Sequence, residues 1–410
     1  MKILMVNKFL YPNGGSETYI FQLGEELVRM GHEVEYFGME HKERIVGNRA
    51  ESYTSNMDFH TGGIGRLLYP FRIIYSLEAR KKLRAVLEDF NPDVVHLNNF
   101  NFQLTPSIIY EVKSFDKKKK KKTVLVYTAH DYQWICPNHM LKIPSTGELC
   151  SKCVKGDFSH CSKNRCIHNS RIKSILGTAE AALYKRLGTY GKIDTVICPS
   201  RFMERMLSFH PALADKTVVL HNFINAMPAE EEKNEGERNY ILYMGRYEKE
   251  KGIETLGKVC RELEDIPFIF AGKGSLEKEL ENVPNIENRG FLSGSGLKKL
   301  ISNARFLVFP SEWYENCPFT VMEAQRYGTP VLASDLGGTA ELIEEGKTGE
   351  LFEAGNEREL KKKIRELWND EARCRTYAEN CRKVEFDTVR DYCRRLLKIY
   401  HGERKEGVRA

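Results

Sequence analysis

No stretch of this 410-residue chain approaches the roughly 18 consecutive apolar residues that a membrane-spanning helix needs. The opening MKILMVNKFLYPNGG holds an apolar run of only four residues. That is too short for the core of a secretory leader, so it reads as a strand, and the chain is expected to stay in the cytosol. No Asp-x-Asp segment occurs, which argues against a metal-clamped diphosphate. No G-x-G-x-x-G follows the first strand, so the dinucleotide fingerprint is missing. No internal repeat is visible beyond a coarse duplication of an α/β pattern. The 41% hydrophobic and 29% charged residues are ordinary for a soluble globular protein.

The length exceeds one hydrophobic core; at roughly 100–200 residues per domain it implies two domains. In each half, short apolar segments alternate with helical ones. The first half carries KILMV, HEVEYFG, DVVHLNN, TVLVYTAH, DTVICPS and KTVVLHNF. The second carries YILYMG, PFIFAG, NIENRG, ARFLVFP, TPVLAS and TGELFE. Strands alternating with helices predict parallel sheets covered on both faces, hence two doubly wound domains with a cleft between them as the natural ligand site. The polar, aperiodic NAMPAEEEKNEGERN (225–239) reads as the linker. The expected division is 1–225, with a Cys-rich insert at about 132–170, then 226–385, then a C-terminal helix and tail over 386–410.

Charge is uneven. Residues 1–225 hold 32 Lys and Arg against 22 Asp and Glu, a net +10, while the remainder nets −4. A basic first half fits an anionic surface or acceptor, or simply a solvated face. The run Lys117–Lys122 reads as an exposed loop. The segment RLLYPFRIIYSLEARKKLRAVL (66–87) is amphipathic, fitting either loose membrane attachment or a helix facing the core.

Ligands of open α/β sheets bind at the carboxyl ends of strands. After the first strand come Gly14 and Gly15, with Ser16 as the expected helix cap. Paired glycines let backbone approach a ligand, and a helix N-terminus favours an anion, though a plain tight turn is the simpler explanation of the pair. After the first strand of the second half comes YMGRYEKEKG, where Arg246 and Lys251 can hold a diphosphate, Arg by its fork and Lys as a point charge. A solvated helix start is the plainer explanation. After ARFLVFP comes SEWYENCPFTVMEAQRYGTP. Asn316 or Cys317 is expected to cap a helix with Pro318 in its first turn, leaving the N–H groups of Phe319 and Thr320 for a phosphate. Glu315 precedes that helix and Glu323 lies in its second turn, eight positions on. Carboxylates accept from sugar hydroxyls, so this arrangement suits a nucleotide sugar: Glu315 toward the hexose, Glu323 toward the ribose.

These segments, with GGSETYIFQLGEELVRMGHEV, TAHD, CPSRFMERML, FAGKGSLEKEL, RGFLSG and GGTAELIEEGKTGELF, resemble the family 4 retaining glycosyltransferases of GT-B fold, in the family's order and over nearly the whole chain. The resemblance implies two Rossmann-like domains facing each other across a cleft. It implies a hexosyl transfer from a UDP- or GDP-sugar to a glycan or lipid-linked acceptor, in cell-surface polysaccharide, lipopolysaccharide or glycolipid synthesis. Arg246 and Lys251 would stabilise the departing diphosphate, Gly14 and Gly15 would approach the donor, and His130 would line the sugar pocket. The loop at Leu292 would face the base. His130 paired with Asp131 as a structural histidine is the plainer explanation. The chain departs from the family at 221–225 and after Glu315, where NCP stands. No cofactor is implied for the transfer itself. The expected location is cytoplasmic, peripheral on the inner membrane face.

Five of the eleven cysteines crowd into 136–166. Cys150-x2-Cys153 and Cys161-x4-Cys166 have the character of metal ligands, and four thiolates suit a structural zinc or an iron–sulfur cluster. Reduced loop cysteines and disulfides remain alternatives, and Cys136, His139 or His160 could replace one ligand. A nucleotide-sugar epimerase would share the fold. A zinc nucleic-acid-binding protein would use the basic half and the cysteines but leave Glu315 and Glu323 unexplained, so nucleic acid is not an expected partner.

Overall fold

The computed structural model describes residues 1–56, 73–224 and 238–403. Most of the expected linker, the first seven residues of the amphipathic segment 66–87 and the end of the tail lie outside them. The chain divides into Met1–Asn222 with Val389–Ala410, and Phe223–Thr388.

The first unit holds a parallel sheet of β1 (Lys2–Val6), β2 (Glu33–Phe37), β3 (Val94–Leu97), β4 (Val124–Thr128), β5 (Thr195–Cys198) and β6 (Thr217–Val219). Their order is β2-β1-β3-β4-β5-β6. The second unit holds β7 (Ile241–Met244), β8 (Phe268–Ala271), β9 (Ile286–Asn288), β10 (Phe306–Phe309), β11 (Val331–Ser334) and β12 (Gly349–Phe352), ordered β12-β11-β10-β7-β8-β9. In both sheets the strand order reverses beside the first strand of the unit. That switch lies between β1 and β3 in one and between β7 and β10 in the other, and it is where open α/β sheets bind ligands.

The strands are continuous apolar runs because both sheet faces are covered. In the second unit, Ile241, Tyr243, Phe306 and Val308 pack on one side with Leu256, Val259, Leu360 and Ile364. Leu242, Met244, Leu307 and Phe309 pack on the other with Ile301, Val321 and Ala324. One expectation changes, and one pair of alternatives is decided. Lys117, Lys118 and Lys119 are not loop but the last turn of the helix Ser107–Lys119, where positive charge complements the helix dipole. The helix Leu77–Phe90 turns Ala79, Leu83, Val86, Leu87 and Phe90 inward, so within the described residues segment 66–87 is a core helix.

The last helix, Val389–Tyr400, belongs to the first unit and packs on the helix Gly15–Arg29. Its attachment is polar as well as apolar. Tyr400 and His96 Nδ1 are 2.7 Å apart, and His96 Nε2 and Thr128 Oγ1 are also 2.7 Å apart. Thr128 lies 3.2 Å from the Tyr19 hydroxyl, which bonds that of Tyr392 at 2.8 Å. Burial holds the His96 imidazole down at about 3, so it is neutral, donating from one nitrogen and accepting at the other. We expect Tyr400→Phe to destabilise the protein by about 1–3 kcal/mol, the cost of leaving a buried ring nitrogen unpaired. Urea unfolding measures this, and a midpoint equal to that of the parent would show that the bond does not hold the helix.

Candidate active site

In the second unit the expected residues gather at the switch point. The turn after β7 carries Arg246, and a short 3-10 turn, Lys249–Lys251, ends in Lys251. The loop after β10 carries Ser311, Trp313 and Glu315. Because β7 and β10 are neighbours in the sheet, the two loops meet. Lys251 Nζ pairs with Glu315 Oε1, and the same oxygen accepts from Ser311 Oγ at 3.0 Å. Lys251 Nζ also stands over the Trp313 ring, 5.2 Å from its centroid. The indole N–H of Trp313 is buried without a hydrogen-bond partner. Arg246 is exposed and pairs at 3.2 Å with Glu250, a rim contact of little energetic weight.

Two glycines permit this approach. Gly252 has φ +71°, and a Cβ there would stand 1.8 Å from the carbonyl oxygen of Pro310. Gly337 has φ +64°, and a Cβ would stand 2.6 Å from the carbonyl oxygen of Glu315. That same oxygen accepts from Gly338 N at 2.7 Å, which fixes the Glu315 loop from the far side.

The helix Phe319–Arg326 begins one residue later than its sequence suggests. Pro318 is its N-cap, in an extended conformation, and no side chain caps it. Neither Asn316 nor Cys317 plays that part; Cys317 is buried in an apolar cluster with Met322 and Ile224. Phe319 and Thr320 therefore open the helix without a competing cap. Glu323 sits in the second turn, where desolvation pushes its carboxyl up to about 7. Leu292 follows β9, two strands from β7, with its side chain against the apolar cluster of Leu242 and Leu307. It does not join the Lys251–Glu315 group.

In the first unit the helix Gly15–Arg29 starts from Gly14 as N-cap, not from Ser16, which falls in its first turn. The Ser16 hydroxyl instead accepts from Asn99 Nδ2 at 2.9 Å. Asn7 Oδ1 accepts from Asn99 N, and Asn7 Nδ2 donates to buried Glu17, so the loops after β1 and β3 are laced together at the switch point. His130 follows β4. Its Nε2 lies 2.9 Å from Asn98 Oδ1, not on Asp131, and its ring meets Tyr19 edge-on at 5.1 Å. Desolvation holds it down at about 3, so it is neutral and unfit to supply positive charge. Gly14, Gly15 and His130 thus belong to one unit, and Arg246, Lys251, Glu315, Phe319, Thr320 and Glu323 to the other.

The insert brings Cys150, Cys153, Cys161 and Cys166 together and adds Cys136 and His160, all lining one enclosed void of about 10 Å³. All five cysteines are free thiols. Burial is the leading influence raising Cys136 and Cys153, each to about 12. Among the described residues no group of three or more His, Cys, Asp or Glu side chains is arranged to hold a metal ion. His139 stands apart, 3.7 Å from Asp131.

Ser311, Trp313, Gly252 and Gly337 are the parts that sequence alone did not assign. Comparison with known proteins places the chain in context. The family description "Glycosyltransferase Family 4" matches residues 13–227, and "Glycosyl transferases group 1" matches 226–384. An uncharacterised glycosyltransferase of Methanocaldococcus jannaschii is 31% identical over 46% of this chain and 53% of its own length, so this match spans about half of that relative. The O-antigen chain mannosyltransferase C of Escherichia coli is 22% identical over 93% of each chain. Among solved structures, Anabaena HepE in complex with UDP superposes with a TM-score of 0.66 at 16% identity, covering 98% of this chain and all of its own.

The Lys251 turn depends on close backbone approach, so Gly252→Ala should cost at least about 1–3 kcal/mol from its left-handed backbone alone. Denaturant unfolding of the variant tests this, and unchanged stability would mean that Gly252 is not required by the contact with Pro310.

Proposed function

The chain belongs to the family 4 glycosyltransferases, and from that premise we propose a retaining transfer of a hexose. The donor is a nucleoside diphosphate sugar, with uridine or guanosine as the base. The acceptor is a glycan or a lipid-linked glycan in the making of a surface polysaccharide. The observation that carries this is the meeting of Lys251, Glu315 and the uncapped helix at Phe319 on the switch point between β7 and β10.

The bond from the anomeric carbon to the diphosphate breaks, and its electron pair goes to the phosphate oxygen. The acceptor hydroxyl attacks on the same face, and its proton passes to a phosphate oxygen of the departing group. Growing negative charge on the diphosphate is the main electrostatic task, met by Arg246, Lys251 and the N–H groups of Phe319 and Thr320 without a cofactor. Lys251 is paired with Glu315, so a donor phosphate takes over the ammonium and releases the carboxylate toward sugar hydroxyls. Glu323 would accept from ribose hydroxyls, and such bonds favour its ionised form. Support for the donor class includes the UDP held by the Anabaena relative. Support for the pathway includes the O-antigen mannosyltransferase.

We also propose that Cys150, Cys153, Cys161 and Cys166 of the insert would hold one structural zinc as thiolates, which would supply cross-linking of the insert and no catalytic chemistry. The support is five thiols around a void that admits about one atom-sized occupant. Elemental analysis of protein purified without chelators should find about one zinc per chain. No bound metal, with all eleven cysteines titrating as thiols, would remove this idea.

For the reaction, Arg246→Ala and Lys251→Ala should each lower nucleoside diphosphate release by about 10²–10³-fold, as losing one preorganised donor typically does. The donor is chosen first as the diphosphate sugar that raises the melting temperature. Near-normal release by either variant refutes the assignment.

A further inference from the structure

The helix Arg171–Arg186 faces the wrong way for an ordinary surface helix. Its inner side buries Ser174, Gly177, Glu180, Ala181 and Tyr184. Its outer side leaves Ile172 73%, Ile175 48% and Leu183 37% exposed, and the following Leu187 is 52% exposed. At about 100° per residue, Ile172, Ile175, Ala179, Ala182 and Leu183 form one solvent-facing stripe. Arg171 and Lys173 are exposed beside the first turn, and Arg186 is exposed at the last. A single exposed leucine needs no explanation, but a contiguous apolar stripe with a basic rim does.

Charge in the segment that carries the stripe is predominantly positive, with Asp157 its one exposed acid. Residues 150–187 hold eight Lys and Arg against two acidic residues, a net +6 that equals that of the whole chain. One of the two acids, Glu180, is buried on the inner side, and burial pushes its carboxyl up to about 8. Lys152, Lys155, Lys163 and Arg165 of the neighbouring insert are exposed, and Lys155 reaches over the half-exposed ring of Phe209 at 6.0 Å.

We propose that this face docks on an anionic lipid bilayer, with the stripe at the headgroup boundary and the lysines and arginines among the phosphates. An apolar stripe flanked by cations matches an interfacial helix in both respects: apolar area enters the boundary, and basic residues are drawn to a negative surface. A protein partner or a second copy would use the apolar area but does not call for a predominantly basic rim. The inference stands apart from the transfer reaction, since it rests on neither donor site nor acceptor. It assigns to the helix Arg171–Arg186 the membrane contact that segment 66–87 does not provide within the described residues.

The test is co-sedimentation of the full chain with vesicles of phosphatidylcholine, with and without phosphatidylglycerol. The parent should bind the anionic vesicles, and added salt should weaken binding. Ile172→Glu with Ile175→Glu, and separately Arg171→Glu with Lys173→Glu, should each weaken binding by about tenfold or more. All four side chains are exposed, so both variants should keep the parent melting temperature, which is measured alongside. Absence of binding by the parent overturns the proposal, as do equal binding to neutral vesicles and unchanged binding by both folded variants. A parent that is dimeric in solution and becomes monomeric with Ile172→Glu and Ile175→Glu assigns the stripe to a second copy and likewise overturns it.

Discussion

Neighbouring parallel strands whose following connections leave toward opposite faces of a sheet open a gap at their carboxyl ends. The rest of this structure depends on that constraint. Between β7 and β10 the gap is filled by the ion pair of Lys251 and Glu315, with Ser311 on the same carboxylate oxygen and Trp313 against the ammonium. A nearly buried ion pair contributes little net stability, because desolvation offsets much of its attraction. Its value is positional. It holds a cation and a carboxylate on loops that two glycines clamp to the ends of rigid strands.

The first unit bridges its gap with amides, one of them bound to the buried carboxyl group of Glu17. The gap between β1 and β3 is bridged by Asn7 and Asn99, and His130 is held by Asn98. His96, Thr128, Tyr19, Tyr392 and Tyr400 form a buried polar chain that connects the last helix to both the first helix and the strand leading to His130. With imidazoles kept neutral, the switch point of the first unit offers hydrogen bonds, and that of the second an ion pair.

Much of this was legible in the sequence because its signals are local. Apolar strands buried on both faces are continuous runs. The turn residues at 14–15, 245–252 and 311–318 fall at strand ends without any knowledge of tertiary structure. What failed was of two kinds. Helix starts slipped by a residue or two: Gly14 replaced Ser16 and Pro318 replaced Asn316 or Cys317, because the competing partners, Asn99 for Ser16 and the Met322 cluster for Cys317, are distant in sequence or visible only after folding. Long-range pairings were also hidden. Nothing local says that Lys251 meets Glu315 or that His130 takes Asn98 rather than Asp131. The tryptophan before Glu315 is intelligible only once the lysine above it is in place.

The position of the last helix has a consequence for the order of assembly. The first unit is interrupted by the second and completed only by Val389–Tyr400. During synthesis the partners of Tyr392 and Tyr400, namely Tyr19 and His96, are made early: Tyr19 precedes its partner by 373 residues and His96 by 304, roughly 15–75 s at about 5–20 residues per second. The domain that leaves the ribosome first is therefore the one finished last. For that interval, the seat of the last helix is apolar surface without its cover, and a nascent-chain chaperone has reason to recognise it.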